Sequence, residues 1–322
     1  MMRDFLILGG GPAGLAAASY ALRKHLDIVL ISRDLGGKTN FTVEFPGTQS
    51  HQVLRAHELV HGFKNTVEYL RHSRKTATAS SVTAAGDHFE VTMEPERAER
   101  AAPTTKTPVA GEEQSTLEAR CLLLATGARP RSLGVPGERE LMGRALGYSS
   151  ISYSHLLAEK RVFLVGDSRR TVDDARELAW QAAEVILLLQ DAGRYEAIYR
   201  EQLAELSNVR VITGKRVAGF HGDEYCRAAE LSSASADGAT ETIEADAFFV
   251  QLQPEPQSAL VAHLVETDPE GRIVVDMRNR TSHPGIFAAG DVTNVGFEQI
   301  LVALGEGSKA ALSAYEQLIH RE

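Results

Sequence analysis

Residues 4–8 are apolar almost throughout, and residues 9–14 are glycine-rich. An alanine-rich helical stretch follows over 15–23, then a second apolar run over 27–32. Short strands that are apolar at nearly every position belong to parallel sheets covered on both faces, so this opening predicts a βαβ unit. From about residue 76 to 114 the pattern changes to alternation, as in Phe89-Glu90-Val91-Thr92-Met93, and then to a polar stretch rich in Glu, Ala, Pro and Thr. That predicts a β-meander with a long loop around 94–114, closed by an apolar strand ending at Ala125. The period then resets. Strand 161–165, helix 171–183 and strands 185–189 and 209–213 make a second βαβ unit. A second meander follows, with a polar hairpin at 232–242 and a strand at 247–252. The chain finishes with strand 285–289 and a helix from about Gln299. The pattern predicts an α/β protein of two Rossmann-like, nucleotide-binding-like three-layer domains with β-meanders. The second is inserted in the first: 1–137 with 251–322, and 138–250 between them.

With 322 residues and 43% hydrophobic content the chain can bury two cores. A formal charge of −9 argues against nucleic acid or an anionic membrane as partner. The basic run Arg71-His72-Ser73-Arg74-Lys75 is a candidate local basic patch, and reads more simply as a solvated helix end or loop. Two cysteines, Cys121 and Cys226, make neither a disulfide framework nor a metal cluster, so no metal is expected. No apolar stretch is long enough to span a bilayer. No leader-type segment precedes the glycine turn, and a cytoplasmic location is the default expectation.

Gly9-Gly10-Gly11-Pro12-Ala13-Gly14 contains G-x-G-x-x-G between a strand and a helix. The glycines allow a tight turn, backbone approach to a pyrophosphate and close helix–strand packing, while the helix N-terminus faces the phosphate charge. The acidic residue that usually ends the second strand is replaced by Ser32 and Arg33, so the adenosine ribose must be held differently. Ala125-Thr126-Gly127-Ala128 returns the chain to the dinucleotide. In Gly290-Asp291, the carboxylate can accept a bond from a ribityl hydroxyl. A helix starting near Gln299 and Ile300 would turn its positive end to the flavin. FAD is the cofactor these segments predict.

With Leu35-Gly36-Gly37-Lys38, Glu44-Phe45-Pro46-Gly47 and Glu298-Gln299-Ile300 in the same order, the chain resembles the low-molecular-weight thioredoxin reductase flavoproteins over nearly its whole length. The resemblance implies FAD contacts at Gly9, Gly11, Pro12, Ala13, Gly14, Ser32, Arg33, Gly36, Gly37, Lys38, Thr126, Gly127, Gly290, Asp291, Gln299 and Ile300. Lys38 stands where the family usually has Gln. The resemblance also implies a homodimer.

That family relays electrons from NADPH through FAD to a Cys-x-x-Cys pair and on to thioredoxin. Counted back from Val162, Ser149 and Ser152 occupy the cysteine positions, flanked by Tyr148 and Tyr153. A serine hydroxyl forms neither a disulfide nor a thiolate. The second glycine turn reads Gly166-Asp167-Ser168-Arg169-Arg170-Thr171, and no arginine stands at 189–191 to read a 2′-phosphate. Arg169 and Arg170 either bind another phosphate or are simply solvated. Three readings stay open: a flavin oxidoreductase with another donor such as ferredoxin, one with a second flavin or other planar ligand in the remodelled domain, or a flavin-bearing sensor without turnover. Likewise Tyr148 and Tyr153 either stack on a planar ligand or fill space between domains.

Overall fold

The computed structural model describes residues 1–47, 56–69, 73–95, 115–190, 193, 199, 201–203, 205–233 and 240–320. In order, the first elements are β1 (Arg3–Leu8), α1 (Pro12–Arg23), β2 (Ile28–Ile31), α2 (Ala56–Tyr69), β3 (Arg74–Lys75), β4 (Ala77–Ala85), β5 (His88–Pro95), β6 (Ser115–Leu124) and β7 (Ala128–Arg129). Next come α3 (Glu138–Leu141), β8 (Leu146–Gly147), β9 (Arg161–Gly166), α4 (Arg169–Leu178), β10 (Glu184–Leu189), β11 (Val209–Ile212) and β12 (Lys215–Gly222). The last are β13 (Cys226–Ser233), β14 (Thr240–Glu244), β15 (Ala247–Gln251), β16 (Glu255–Pro256), β17 (Ile286–Ala288) and α5 (Ile300–Ile319).

The chain divides into two compact units. Unit 1 takes Met1–Asn40, Arg55–Arg129 and Glu255–Glu322, and unit 2 takes Phe41–Leu54 and Pro130–Pro254. The sequence pattern puts the boundaries at 138 and 251 and leaves the segment after Asn40 in the first domain. That segment belongs to unit 2 because Glu44 N–H donates to Gly143 O, Ala145 N–H donates to Glu44 O, each at 2.8 Å, and Phe45 is buried in the core of unit 2.

In unit 1 the strands run in the order β3-β2-β1-β6-β5-β4, with β17 also on β6. β6 is the pivot: its first half pairs antiparallel with β5, and its second half pairs parallel with β1 and β17. Successive strand side chains point to opposite faces. Phe5 and Ile7 therefore face a core shared with α1, α2 and α5, while Leu6 and Leu8 face one shared with β4, β5 and residues 261–292. Both faces are covered, which is why these strands are apolar without alternation. α1 and α5 approach closely enough that a side chain on Gly307 would overlap the Ala13 backbone; the run of alanines in α1 permits that contact.

Unit 2 has a parallel sheet in the order β11-β10-β9-β15-β8 and an antiparallel meander β12-β13-β14. Its core is the apolar runs of β9, β10 and β15 against Val172, Ala175 and Leu178 of α4.

Several elements differ from expectation. The helix read at 171–183 is α4, which starts two residues earlier and stops at Leu178. α2 was not anticipated, although Val60, Phe63 and Val67 place an apolar stripe on one face. Arg74 and Lys75 are not a helix end or loop but an edge strand parallel to β2; Arg71 and His72 lie outside the described residues. So do most of the expected loop at 94–114 and the tip of the hairpin at 232–242. Among the described residues no helix is long and apolar enough to cross a membrane.

Candidate functional site

The turn between β1 and α1 is fixed by its own packing at three of its four glycines. Gly9 has φ +114°, and a Cβ there would overlap the Ala125 carbonyl. A Cβ on Gly10 would overlap the Asp34 carbonyl, and one on Gly14 the Gly9 carbonyl. Gly11 is different. Its φ of −72° suits any residue, and nothing lies within 4 Å of a Cβ built on it. No packing contact demands a glycine there, whereas a ligand brought against the backbone does. Gly11 is also the N-cap of α1, Pro12 is in its first turn, and no side chain caps the helix. The first N–H groups of α1 therefore lack a side-chain acceptor, which is what an anion at a helix N-terminus requires. The residues fit the pyrophosphate of a dinucleotide.

The other expected segments converge on this turn within unit 1. Gly36 N–H donates to Gly10 O at 2.7 Å. Gly36 and Gly37 both have positive φ, and a Cβ on Gly37 would come within 3.1 Å of Gly11 Cα. Ala125 N–H donates to Leu8 O at 2.8 Å, and the Thr126 hydroxyl to Gln257 O at 2.6 Å. Gly127 follows in the left-handed region at φ +68°. The Ser32 hydroxyl donates to Asp34 O at 2.6 Å, which shapes the turn after β2, and Arg33 is exposed.

At the end of β17, Gly290 N–H donates to the buried Glu306 carboxylate at 2.8 Å. Burial pushes the Glu306 carboxyl above its ordinary pKa, while that N–H pulls it back. Gln299 is the N-cap of α5, with extended backbone and no side-chain cap, and Ile300 is its first residue.

Lys38, Asp291 and Glu298 form a cluster that sequence reading did not foresee. Lys38 Nζ lies 2.8 Å from Asp291 Oδ2 and 2.8 Å from Glu298 Oε2. Burial alone would lower the Lys38 pKa, but the pull of the two carboxylates and their hydrogen bonds outweigh it and hold it above the ordinary value. Nothing in the sequence joins residues 260 positions apart; the only signal was unlike charge in flanking motifs.

In unit 2, Ser149 Oγ and Ser152 Oγ are hydrogen-bonded at 2.8 Å. The Tyr153 hydroxyl accepts from Val43 N–H at 3.0 Å, and its ring meets Phe45 edge-on with centroids 5.7 Å apart. Burial raises its pKa against that hydrogen bond. The Tyr148 ring packs on the unit 2 core; burial, then the Glu138 charge, raises its pKa. The Tyr153 hydroxyl and its contact with Phe45 thus lie within its own unit. Both cysteine thiols are buried elsewhere, and burial pushes Cys226 up to about 12.

At the second glycine turn, the Asp167 carboxylate accepts from Gln253 N–H at 2.8 Å and pairs with Arg131 at 3.1 Å. Its charge is therefore partly met inside the unit. Ser168 is the N-cap of α4 and is buried, with its hydroxyl 3.1 Å from that of Thr171. Arg169 is exposed and 3.8 Å from Asp173. Behind this turn lies a second unforeseen group: Ser150 donates to Gln251 Oε1 at 2.6 Å, and the Gln251 amide donates to the buried Asp174. Burial raises Asp174 to about 6 against that bond and the Arg170 charge. Asp191 lies outside the described residues.

This architecture recurs in known proteins. The chain is 35% identical over 322 residues to a component of the alkyl hydroperoxide reductase of Pseudomonas aeruginosa, covering 98% of this chain and 58% of that protein. It therefore spans little more than half the length of that relative. The solved thioredoxin reductase of Streptococcus pyogenes MGAS5005 is 27% identical with a TM-score of 0.82, and that of Giardia duodenalis is 26% identical with a TM-score of 0.83. Both superpose over 99% of either chain. Residues 3–307 match the pyridine nucleotide-disulphide oxidoreductase family model, and the chain belongs to that family.

Proposed function

We propose that the chain is an FAD-dependent oxidoreductase that works without a dithiol relay and draws its electrons from a donor other than NADPH. Bound FAD would supply an electron carrier. The chain's own residues supply the rest: the backbone at Gly11 and the first turn of α1 bind the pyrophosphate, Gly36 and Gly37 close over it, and Thr126, Gly127, Gly290 and Asp291 border the remainder. The uncapped start of α5 at Gln299 and Ile300 adds partial positive charge.

The observation that carries the non-dithiol reading is the Ser149–Ser152 hydroxyl pair at 2.8 Å, in the segment where the resemblance implies two cysteines. Both real cysteines are buried and far away in sequence, and Cys226 is protonated at any physiological pH. The weak-NADPH reading rests on Ser168, a residue with a side chain at the turn position where backbone should approach phosphate, and on the lack of an arginine at 189–191. Reduced ferredoxin or a second flavin fits as donor, and a homodimer in the cytoplasm completes the proposal.

The test is an anaerobic reductive titration with NADH, NADPH and reduced ferredoxin in turn, followed by flavin absorbance. A thioredoxin-dependent disulfide assay accompanies it. Bleaching by ferredoxin alone, with no thioredoxin turnover, is the expected result. Rapid bleaching by micromolar NADPH, or thioredoxin turnover, overturns it. A flavin that no donor reduces points instead to a sensor.

A further inference from the structure

The cluster of Lys38 with Asp291 and Glu298 is assembled from two segments of unit 1, the turn after β2 and the connection between β17 and α5; Gly37 beside Lys38 approaches Gly11, and Gly290 beside Asp291 approaches Ala13. Lys38 follows Gly36 and Gly37, Asp291 follows Gly290, and Glu298 precedes the N-cap of α5. Both ion pairs are 2.8 Å long, and the three side chains are 34%, 16% and 25% exposed. Charges this well shielded interact more strongly than surface pairs in water. The arrangement holds one cation between two anions, beside residues expected to contact FAD.

We propose that Lys38 sets the electron affinity of the flavin and that Glu298 limits how much of its charge the flavin feels. The proposal rests on the FAD reading above. Two-electron reduction of a flavin near neutral pH adds two electrons and one proton, so the ring system gains one negative charge. In the test the electrons come from dithionite. A fixed cation nearby favours the reduced form and raises the midpoint potential; a fixed anion disfavours it. Lys38 remains charged throughout, because its two partners hold its pKa above the ordinary value. Opposite signs on two residues in direct contact give opposite predictions, and a purely structural role does not.

The experiment measures the midpoint potential of the FAD-loaded protein by dithionite titration against a reference dye. The variants are Lys38→Gln, Lys38→Arg and Glu298→Gln. Lys38→Gln is expected to lower the reduced-to-oxidised ratio at fixed potential by at least tenfold, a fall of about 30 mV for a two-electron couple. Glu298→Gln is expected to raise the potential, and Lys38→Arg to keep it near the parent value. Lys38→Gln and Glu298→Gln shifting the same way, or neither shifting while FAD stays bound, overturns the proposal. A parent protein that takes up no FAD overturns the cofactor reading itself, which the FAD content shows before any variant is made. Loss of FAD by Lys38→Gln alone leaves Glu298→Gln to decide, since it removes the opposing charge and keeps the cation.

Discussion

Replacing Gly11 and Gly14 by alanine, one at a time, separates two roles that lie three residues apart. At Gly14 the new methyl would overlap the Gly9 carbonyl, a backbone atom that cannot rotate away. Overpacking of that kind costs about 3 kcal/mol at the upper end. The gain in helix propensity from Gly to Ala is about 1 kcal/mol, so steric overlap wins by about 2 kcal/mol. For a domain of this size that lowers Tm by about 4–8 °C. At Gly11 the methyl meets no atom within 4 Å and the backbone is ordinary. The entropic gain from stiffening the unfolded chain, about 0.4–1 kcal/mol, is offset by the comparable penalty for Ala at an N-cap. Stability without ligand should stay within about 0.5 kcal/mol of the parent. FAD binding should fall, because the methyl stands where the pyrophosphate meets the helix N-terminus. Loss of a charge-assisted hydrogen bond costs about 1.5–3 kcal/mol, roughly tenfold to a hundredfold in Kd. Thermal melts of the flavin-free variants and FAD fluorescence titrations read the two effects separately. An alanine at 11 that binds FAD as tightly as glycine, or that destabilises the protein as much as Gly14→Ala does, refutes the reasoning.

Asp174 offers a test by pH. Its folded pKa of about 6 lies above the ordinary 3.8, so the native state holds this proton more tightly than the unfolded one. Its contribution is neutral below about pH 4 and grows into a penalty as pH rises through 6, approaching about 3 kcal/mol as an upper bound. Asp174→Asn should therefore gain stability relative to the parent at pH 8 and lose that advantage at pH 4, as denaturant melts at the two values will show. Neither thiol should react with Ellman's reagent in the native protein, since both are buried, and both should react in guanidinium. Tyr153→Phe removes the acceptor for Val43 N–H and should cost about 0.5–1.5 kcal/mol in the same melts.

Both sheets could be read from the sequence because their central strands are buried on both faces and therefore apolar throughout, as in Phe5–Leu8 and Val185–Leu189. The glycine turn was legible for a related reason: Gly9, Gly10 and Gly14 are demanded by local overlap, so residue type and geometry are tied together. What escaped was long-range. The Lys38–Glu298 and Asp174–Gln251 contacts join residues far apart in the chain, and no local period encodes such a pairing. α2 escaped because its apolar stripe is carried by few residues between polar ones. The segment after Asn40 falls in unit 2 because Glu44 pairs across about 100 residues with Gly143 and Ala145 and Phe45 is buried in that unit's core, while the sequence around them reads as an ordinary loop. At the second glycine turn the Asp167 carboxylate meets Gln253 N–H and Arg131. Such a partner cannot be inferred from the turn alone.

The most direct test of a flavin oxidoreductase without a dithiol relay is the electron count of the FAD-loaded protein under anaerobic dithionite titration. A flavin alone takes up two electrons, and a flavin coupled to a disulfide takes up four. The Ser149–Ser152 pair and the two buried, distant cysteines predict two electrons per FAD. Uptake of four electrons per FAD would contradict the account.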